Sequence, residues 1–178
     1  MMLETDRILL RLYRQEDFTD YCDYIIGDEE RGRMMLTDVI RNEDEARESF
    51  DWKLNRDSEH WYALCLKKEN NKVIGGITVH PVPEELAQHP LLLNKRGVSL
   101  SFSISPNYRR RGLMEEAVQA LNDHLLHVEG LDYIQCGYMD YNLASRDFQR
   151  KLGFTYLCSE TFELDGKEYT SIENILVK

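Results

Sequence analysis

Three consecutive arginines run into a glycine at Arg109-Arg110-Arg111-Gly112-Leu113-Met114, after an alternating run from Val98 to Ile104 and before a helix-like run. At a helix start the first amides have no intrahelical acceptor, so a turn of this composition gathers unpaired N–H groups and fixed positive charge at one point. Such a point binds anions, phosphates above all. Gly112 is the only glycine between Val98 and Val128, which excludes both the Gly-x-x-x-x-Gly-Lys loop of nucleotide hydrolases and the three-glycine dinucleotide fingerprint. Further along, Asn142-Leu-Ala-Ser145 leads into Lys151-Leu152-Gly153-Phe154. Asn142 has the chemistry of a helix cap, and Ser145 stands three residues after it.

The elements that must position these residues follow from periodicity. Ile8 to Leu12 reads as a strand, and Gln15 to Ile26 as a helix that Gly27 ends. Glu43 to Leu54 reads as a helix capped by Asn42, with Ala46, Phe50 and Leu54 on one face. Trp61 to Leu66 and Val73 to Val79 form a hairpin about Glu69-Asn70-Asn71. Pro81, Pro83 and Pro90 break a long connection reaching Lys95, and its Leu91 to Leu93 are expected to pack beneath it, with a lid or subunit contact as the alternative. In the strand ending at Ile104, Leu100, Phe102 and Ile104 alternate with Ser99, Ser101 and Ser103. Leu113, Ala117, Ala120, Leu121, His124, Leu125 and Val128 mark the next helix, Tyr133 to Tyr138 a strand, Ser145 to Leu152 a helix, and Asp165-Gly166 the turn of a last hairpin. Seven strands and four helices make a mixed α/β plan.

A chain of 178 residues with 42% apolar composition is expected to be one domain, spanning 1–178. Its net charge of −10 argues against direct nucleic-acid binding and would favour a cationic substrate, although the basic clusters at Arg109–Arg111 and Arg146–Lys151 leave room for a polyanion. Cys22, Cys65, Cys136 and Cys158 show neither metal-ligand spacing nor a disulfide framework, so no metal is signalled and a reduced, cytoplasmic chain is expected. No apolar run approaches the roughly 20 residues that cross a membrane, and the charged amino terminus does not read as a secretory signal.

Taken together, strand, Arg-Arg-Arg-Gly-Leu-Met, helix, strand, and then Asn142 to Ser145 with Lys-Leu-Gly-Phe resemble the GNAT superfamily of N-acetyltransferases over nearly the whole chain. The opening Glu4-Thr-Asp-Arg7-Ile-Leu-Leu-Arg11 is similar to its ribosomal-protein N-terminal acetyltransferase branch. The resemblance implies a mixed, mostly antiparallel sheet that splays at the glycine turn and holds acetyl-CoA. It implies cofactor contacts from Phe102, Ser103, Ile104, Arg109, Arg110, Arg111, Gly112, Leu113, Met114, Asn142 and Lys151. Met114 departs from the small residue usual at its position. The same resemblance makes Ser145 the proton donor to the departing thiolate, with Asn142 on the cofactor arm and Tyr141 as the alternative acid.

The implied chemistry is direct attack of a neutral amine on the thioester, with no covalent enzyme intermediate. Many relatives carry a carboxylate early in the strand, where Ser99 stands here, so no strong base is evident. At pH 7 an α-amine of pKa about 8 is roughly a tenth neutral, against under about one part in a thousand for a lysine of pKa about 10.4. The expected acceptor is therefore an amino-terminal α-amine or another amine of low pKa. The alternatives are a small-molecule acetyltransferase acting on a polyamine, antibiotic or amino acid, and a non-catalytic acyl-CoA-binding module. Monomer and homodimer both fit. His80, Glu84, Glu85 and His89 read as surface residues of the loop, with a base acting through water as the alternative, and His124 reads as a packing residue.

Overall fold

The computed structural model describes residues 2–56 and 59–178. Its strands form one sheet in the order β1-β2-β3-β4-β5-β6-β8-β7. The chain divides into two compact units, Met1–His80 with Phe102–Leu121, and Pro81–Ser101 with Asn122–Lys178.

The first unit contains β1 (Met2–Glu4), β2 (Ile8–Leu12), α1 (Phe18–Ile25), α2 (Glu29–Met35), α3 (Glu43–Leu54), β3 (His60–Leu66) and β4 (Lys72–His80). These four strands pair antiparallel in sequence order. An aromatic core holds the helices to the sheet. Tyr13 stacks on Trp61 at 3.8 Å, and the edges of Tyr21 and Phe50 meet both rings, the offset and T-shaped geometries that ring quadrupoles favour. Burying so many phenols demands partners, and Tyr13 Oη bonds Tyr24 Oη (2.7 Å) and the Gly75 carbonyl (2.8 Å). Gly76 suits this packing, because a Cβ there would lie 3.0 to 3.2 Å from Tyr13 and Trp61 and press on both side chains. Asn42 caps α3 as expected, its side chain accepting from the Glu45 amide (3.0 Å).

The second unit contains α4 (Glu84–Ala87), β6 (Tyr133–Met139), α6 (Leu143–Lys151), β7 (Thr155–Leu164) and β8 (Lys167–Val177). Strand β5 (Gly97–Ile104) and helix α5 (Leu113–Asp123) each contribute residues to both units. Here β5 and β6 run parallel from Gly97↔Tyr133 to Ser99↔Gln135, while β8 is antiparallel to both β6 and β7. The ladder between β5 and β6 stops at Ser99, five residues before β5 itself ends. Leu92, Tyr133, Leu157 and Ile175 form the core under the long connection. Leu92 packs inward as expected, whereas Leu91 and Leu93 face solvent. Asp165 and Gly166 both take positive φ, the conformation of the expected two-residue hairpin turn.

The mixed α/β architecture agrees with the expectation; among the described residues there are eight strands instead of seven and six helices instead of four. The additions are β1, α2 and α4, all short. The apolar stripe of α5 also ends earlier than the spacing suggests. His124 to Val128 form a π-helical turn, whose extra residue per turn rotates Val128 out to solvent while Leu125 and Leu126 remain buried. His124 lies 3.2 Å from the Glu129 carboxylate. All four cysteines are free thiols. Among the described residues no helix is long and apolar enough to cross a membrane, and no cluster of His, Cys, Asp or Glu could hold a metal ion.

Candidate active site

The glycine turn belongs to the first unit. After a 3-10 turn at Pro106–Tyr108 the backbone is extended at Arg109, left-handed at Arg110 (φ 59°) and left-handed again at Gly112 (φ 71°), and α5 starts at Leu113. Arg7, at the start of β2, fixes the orientation of this backbone. Its guanidinium donates to the carbonyls of Arg111 (3.0 Å) and Gly112 (3.3 Å), and its Nε pairs with Glu116 at 2.5 Å. Glu116 also accepts from the Arg7 amide and the Thr5 hydroxyl. Burial pushes this carboxyl up, but the hydrogen bonds from Thr5 and Arg7 outweigh it and the net shift is downward.

With the Arg111 and Gly112 carbonyls held on the Arg7 side of trans peptides, the amides of Gly112 and Leu113 must point the opposite way. Neither amide has an acceptor among the described residues. The turn is therefore an oriented pair of donors at the positive end of a helix. Arg110 and Arg111 are exposed beside it, with Arg111 over the Tyr108 ring at 5.1 Å. The Tyr108 hydroxyl in turn donates to Glu69 (2.5 Å), a bond that raises the phenol's pKa. Arg109 behaves differently. It ion-pairs with Asp28 and Glu30 at the start of α2 and donates to the Ile104 carbonyl (3.2 Å), so its charge is already neutralised. The Leu113 and Met114 side chains are buried, which leaves the outer face of the turn clear of Met114.

Phe102, Ser103 and Ile104 are half-buried at the end of β5.

Asn142, Ser145, Tyr141 and Lys151 lie in the second unit. Asn142 caps α6, its Oδ1 accepting from the Ser145 amide at 3.1 Å. Gln149, one turn along and fully buried, fixes the Ser145 hydroxyl. Its Oε1 accepts from Asn174 Nδ2 (2.9 Å), while its Nε2 donates to Ser145 Oγ (3.1 Å) and more weakly to the Gly137 carbonyl (3.4 Å). Since a carbonyl can only accept, the Gly137 contact settles which end of the amide faces Ser145. Ser145 Oγ thus receives a hydrogen bond and keeps its own proton to give. Tyr141 borders the same helix start, with its ring 6.4 Å from that of Tyr169. Lys151 is in the last turn of α6, six residues from Ser145 and roughly 9 Å along the axis, so the structure does not bring these two together.

Ser99 is fully buried and donates to Gln135, which donates to Glu173; Glu173 also accepts from Ser171. Gly137 makes room for Glu173, whose carboxylate lies where a Cβ would stand. Sequence reasoning missed Gln135, Glu173, Gln149, Arg7 and Glu116. Only Gln149 left a readable signal, four residues after Ser145 on one helix face. The others depend on strand pairing across long stretches of chain.

With this geometry in view, the sequence matches the Acetyltransferase (GNAT) domain over residues 7–155. The chain belongs to the GNAT acetyltransferase family. Family membership indicates acyl transfer from acetyl-CoA to an amine. No curated protein matches the sequence. Solved structures share the fold at low identity. A Bacillus anthracis GNAT-family acetyltransferase matches with TM-score 0.82 and 16% identity over 99% of this chain and 98% of its own. The spermidine N-acetyltransferase of Vibrio cholerae, solved with CoA and spermine, gives 0.75 and 12% over 97% and 96%. A Salmonella typhimurium acetyltransferase that modifies the N-terminal serine of a 50S ribosomal subunit protein gives 0.79 and 12% over 100% and 99%.

Proposed function

We propose that this member of the family transfers the acetyl group of acetyl-CoA to an amino-terminal α-amine of a protein or peptide, as the ribosomal-protein branch does, in a reducing cytoplasm. Acetyl-CoA supplies the thioester carbonyl that the amine attacks. The amides of Gly112 and Leu113 bind its pyrophosphate, with Arg110 and Arg111 adding charge, while Arg109 acts as a latch to α2. The backbone N–H groups of Phe102–Ile104 hold the pantetheine arm and polarise the carbonyl. Asn142 orients the start of α6. Ser145 gives its proton to the departing thiolate, and Tyr141 flanks it.

The observation that carries this reading is the hydroxyl of Ser145, which accepts from Gln149 and so has its proton free to donate. The choice of an α-amine rests on the missing base. Ser99 stands where relatives place a carboxylate, and its hydroxyl is tied to the Gln135 amide, which does not take up protons near neutrality. An enzyme built this way depends on acceptors that are already partly neutral at pH 7.

A polyamine acceptor is the second reading, favoured by the net charge of −10 and by the spermidine acetyltransferase among the structural relatives. Thiol release from acetyl-CoA, measured against α-amine peptides, internal-lysine peptides and spermidine at pH 7, separates them. The α-amine peptides are expected to turn over fastest, with Ser145→Ala lowering kcat by about a hundredfold or more. Equal rates on lysine and α-amine peptides, or native kinetics in Ser145→Ala, would sink the assignment.

A further inference from the structure

On β8 of the second unit a half-buried carboxylate is held by neutral groups alone. Glu173 accepts from Gln135 Nε2 and from the Ser171 hydroxyl, and it forms no ion pair among the described residues. Gln135 and Ser171 are themselves buried. Because an ionised carboxylate only accepts, Nε2 of Gln135 must face Glu173, which turns Oε1 toward the buried Ser99 hydroxyl on β5. The network therefore runs from Ser99 through Gln135 and ends on the charge. Elsewhere the chain draws carboxylates inward against cations: Asp17 against Arg11, Asp28 against Arg109 and Glu116 against Arg7. An ionised group taken partly out of water with neutral partners only is costly, and a cationic partner offsets that cost.

The strand register fixes where this charge stands. Glu173 is paired with Gly137 of β6, and its carboxylate lies over that glycine, where a Cβ would be 3.0 Å from Oε1 and nearer still to Oε2. Only a residue without a side chain leaves the carboxylate this place. The ladder between β5 and β6 has already ended at Ser99↔Gln135, two residues earlier, and Gly137 is exposed. Successive residues of a strand face opposite ways. Asn174, the residue after Glu173, bonds Gln149 of α6, so α6 and the Ser145 hydroxyl that Gln149 holds lie on the other face. Gln149 Nε2 also reaches the Gly137 carbonyl at 3.4 Å. Ser145 and Glu173 thus flank one residue of β6 from opposite faces, beyond the last rung of the β5–β6 ladder.

We propose that Glu173 is a catalytic residue, which takes the proton that the acceptor nitrogen loses as it is acetylated. The nitrogen bonds to the thioester carbon and its proton passes to Glu173. The C–S bond breaks, and the electron pair left on sulfur takes the Ser145 proton. Exchange with water then restores both side chains. Acid and proton acceptor stand on opposite faces of β6, so the two transfers do not compete for one side chain. The inference rests on the acetyl-transfer reading and deepens it. The preference for α-amines is unaffected, because a carboxylate is far too weak a base to keep a lysine neutral in advance. It acts later, once the bond to carbon has made the nitrogen acidic enough to release its proton.

Two variants of the full chain test this. Glu173→Gln keeps the shape of the side chain and loses its charge. With an α-amine peptide and saturating acetyl-CoA its kcat is expected to fall by about a hundredfold or more, while the KM for acetyl-CoA and the midpoint of thermal unfolding stay near native. Glu173→Ala leaves the Gln135 and Ser171 donors around a space of carboxylate size. Added formate should therefore raise the rate of Glu173→Ala saturably, by at least about tenfold, and should do nothing for Ser145→Ala. A purely structural role for Glu173 would not respond to formate. Native kcat in Glu173→Gln, or a Glu173→Ala rate that formate leaves unchanged, overturns the inference; with the native protein still acetylating amines, the proposed reaction stands. A native protein that acetylates no amine sinks that reading, and this inference with it.

Discussion

Lys53→Met should stabilise the protein, by an amount that disappears as the pH is raised. Burial, and next the charge of Arg31, bring the Lys53 ammonium from 10.5 down to about 8. At about 1.36 kcal/mol for each pH unit of that fall, the buried charge costs the folded state at most roughly 3.4 kcal/mol at pH 7. The favourable contact with the Trp61 face is part of that net value and is also lost in the variant. A gain on the order of 1 to 3 kcal/mol is therefore expected at pH 7. Between about pH 8 and 10.5 the unfolded chain holds a proton that the folded chain has released, so native stability rises with pH through this window. The thioether of the variant cannot titrate, and its advantage should shrink toward zero by about pH 10.5. Burial also pushes the thiols of Cys65 and Cys136 up, to about 11 and about 12, and these act in the opposite direction, favouring the folded state less as pH rises above 9. Because both thiols are present in native protein and variant alike, the difference between the two isolates Lys53. Urea unfolding at pH 7, 8, 9 and 10 measures that difference. A constant difference across the series, or a variant less stable than native at pH 7, would refute an unpaired ammonium at this position.

Two further predictions concern the glycine turn. Arg7→Ala frees the Arg111 and Gly112 carbonyls, so the amides behind them lose their fixed direction; KM for acetyl-CoA is expected to rise about tenfold with kcat little changed, and an unchanged KM would show that the turn holds its shape alone. Gly112→Ala must adopt φ near 71°, a conformation that costs an L side chain roughly 1 to 2 kcal/mol. Thermal unfolding should show that loss even though the space around a new Cβ is open apart from Arg7, and an unaltered Tm would mean that the backbone relaxes away from the left-handed region.

The glycine turn could be read from the sequence because its conformation is local. One glycine, a helix-start pattern and a preceding strand suffice to place amides at one point, and Asn142 and Ser145 are likewise set by the first turn of the helix they open. The support for these residues is not local. Arg7 and Glu116 meet across most of the unit, and Arg109, whose place in the motif suggests a phosphate contact, is instead neutralised by α2. That helix was itself hidden, since Gly32 is a poor helix former and the seven residues of Glu29–Met35 are too few to show a helical apolar stripe; Asp28 caps it, and Gly32 lets Val39 approach, where a Cβ would lie 2.7 Å from Val39 Cγ2. Net charge then pointed toward a cationic acceptor, although at physiological salt a surface charge is screened over roughly 8 Å. A total of −10 over 178 residues therefore says little about the sign of the acceptor.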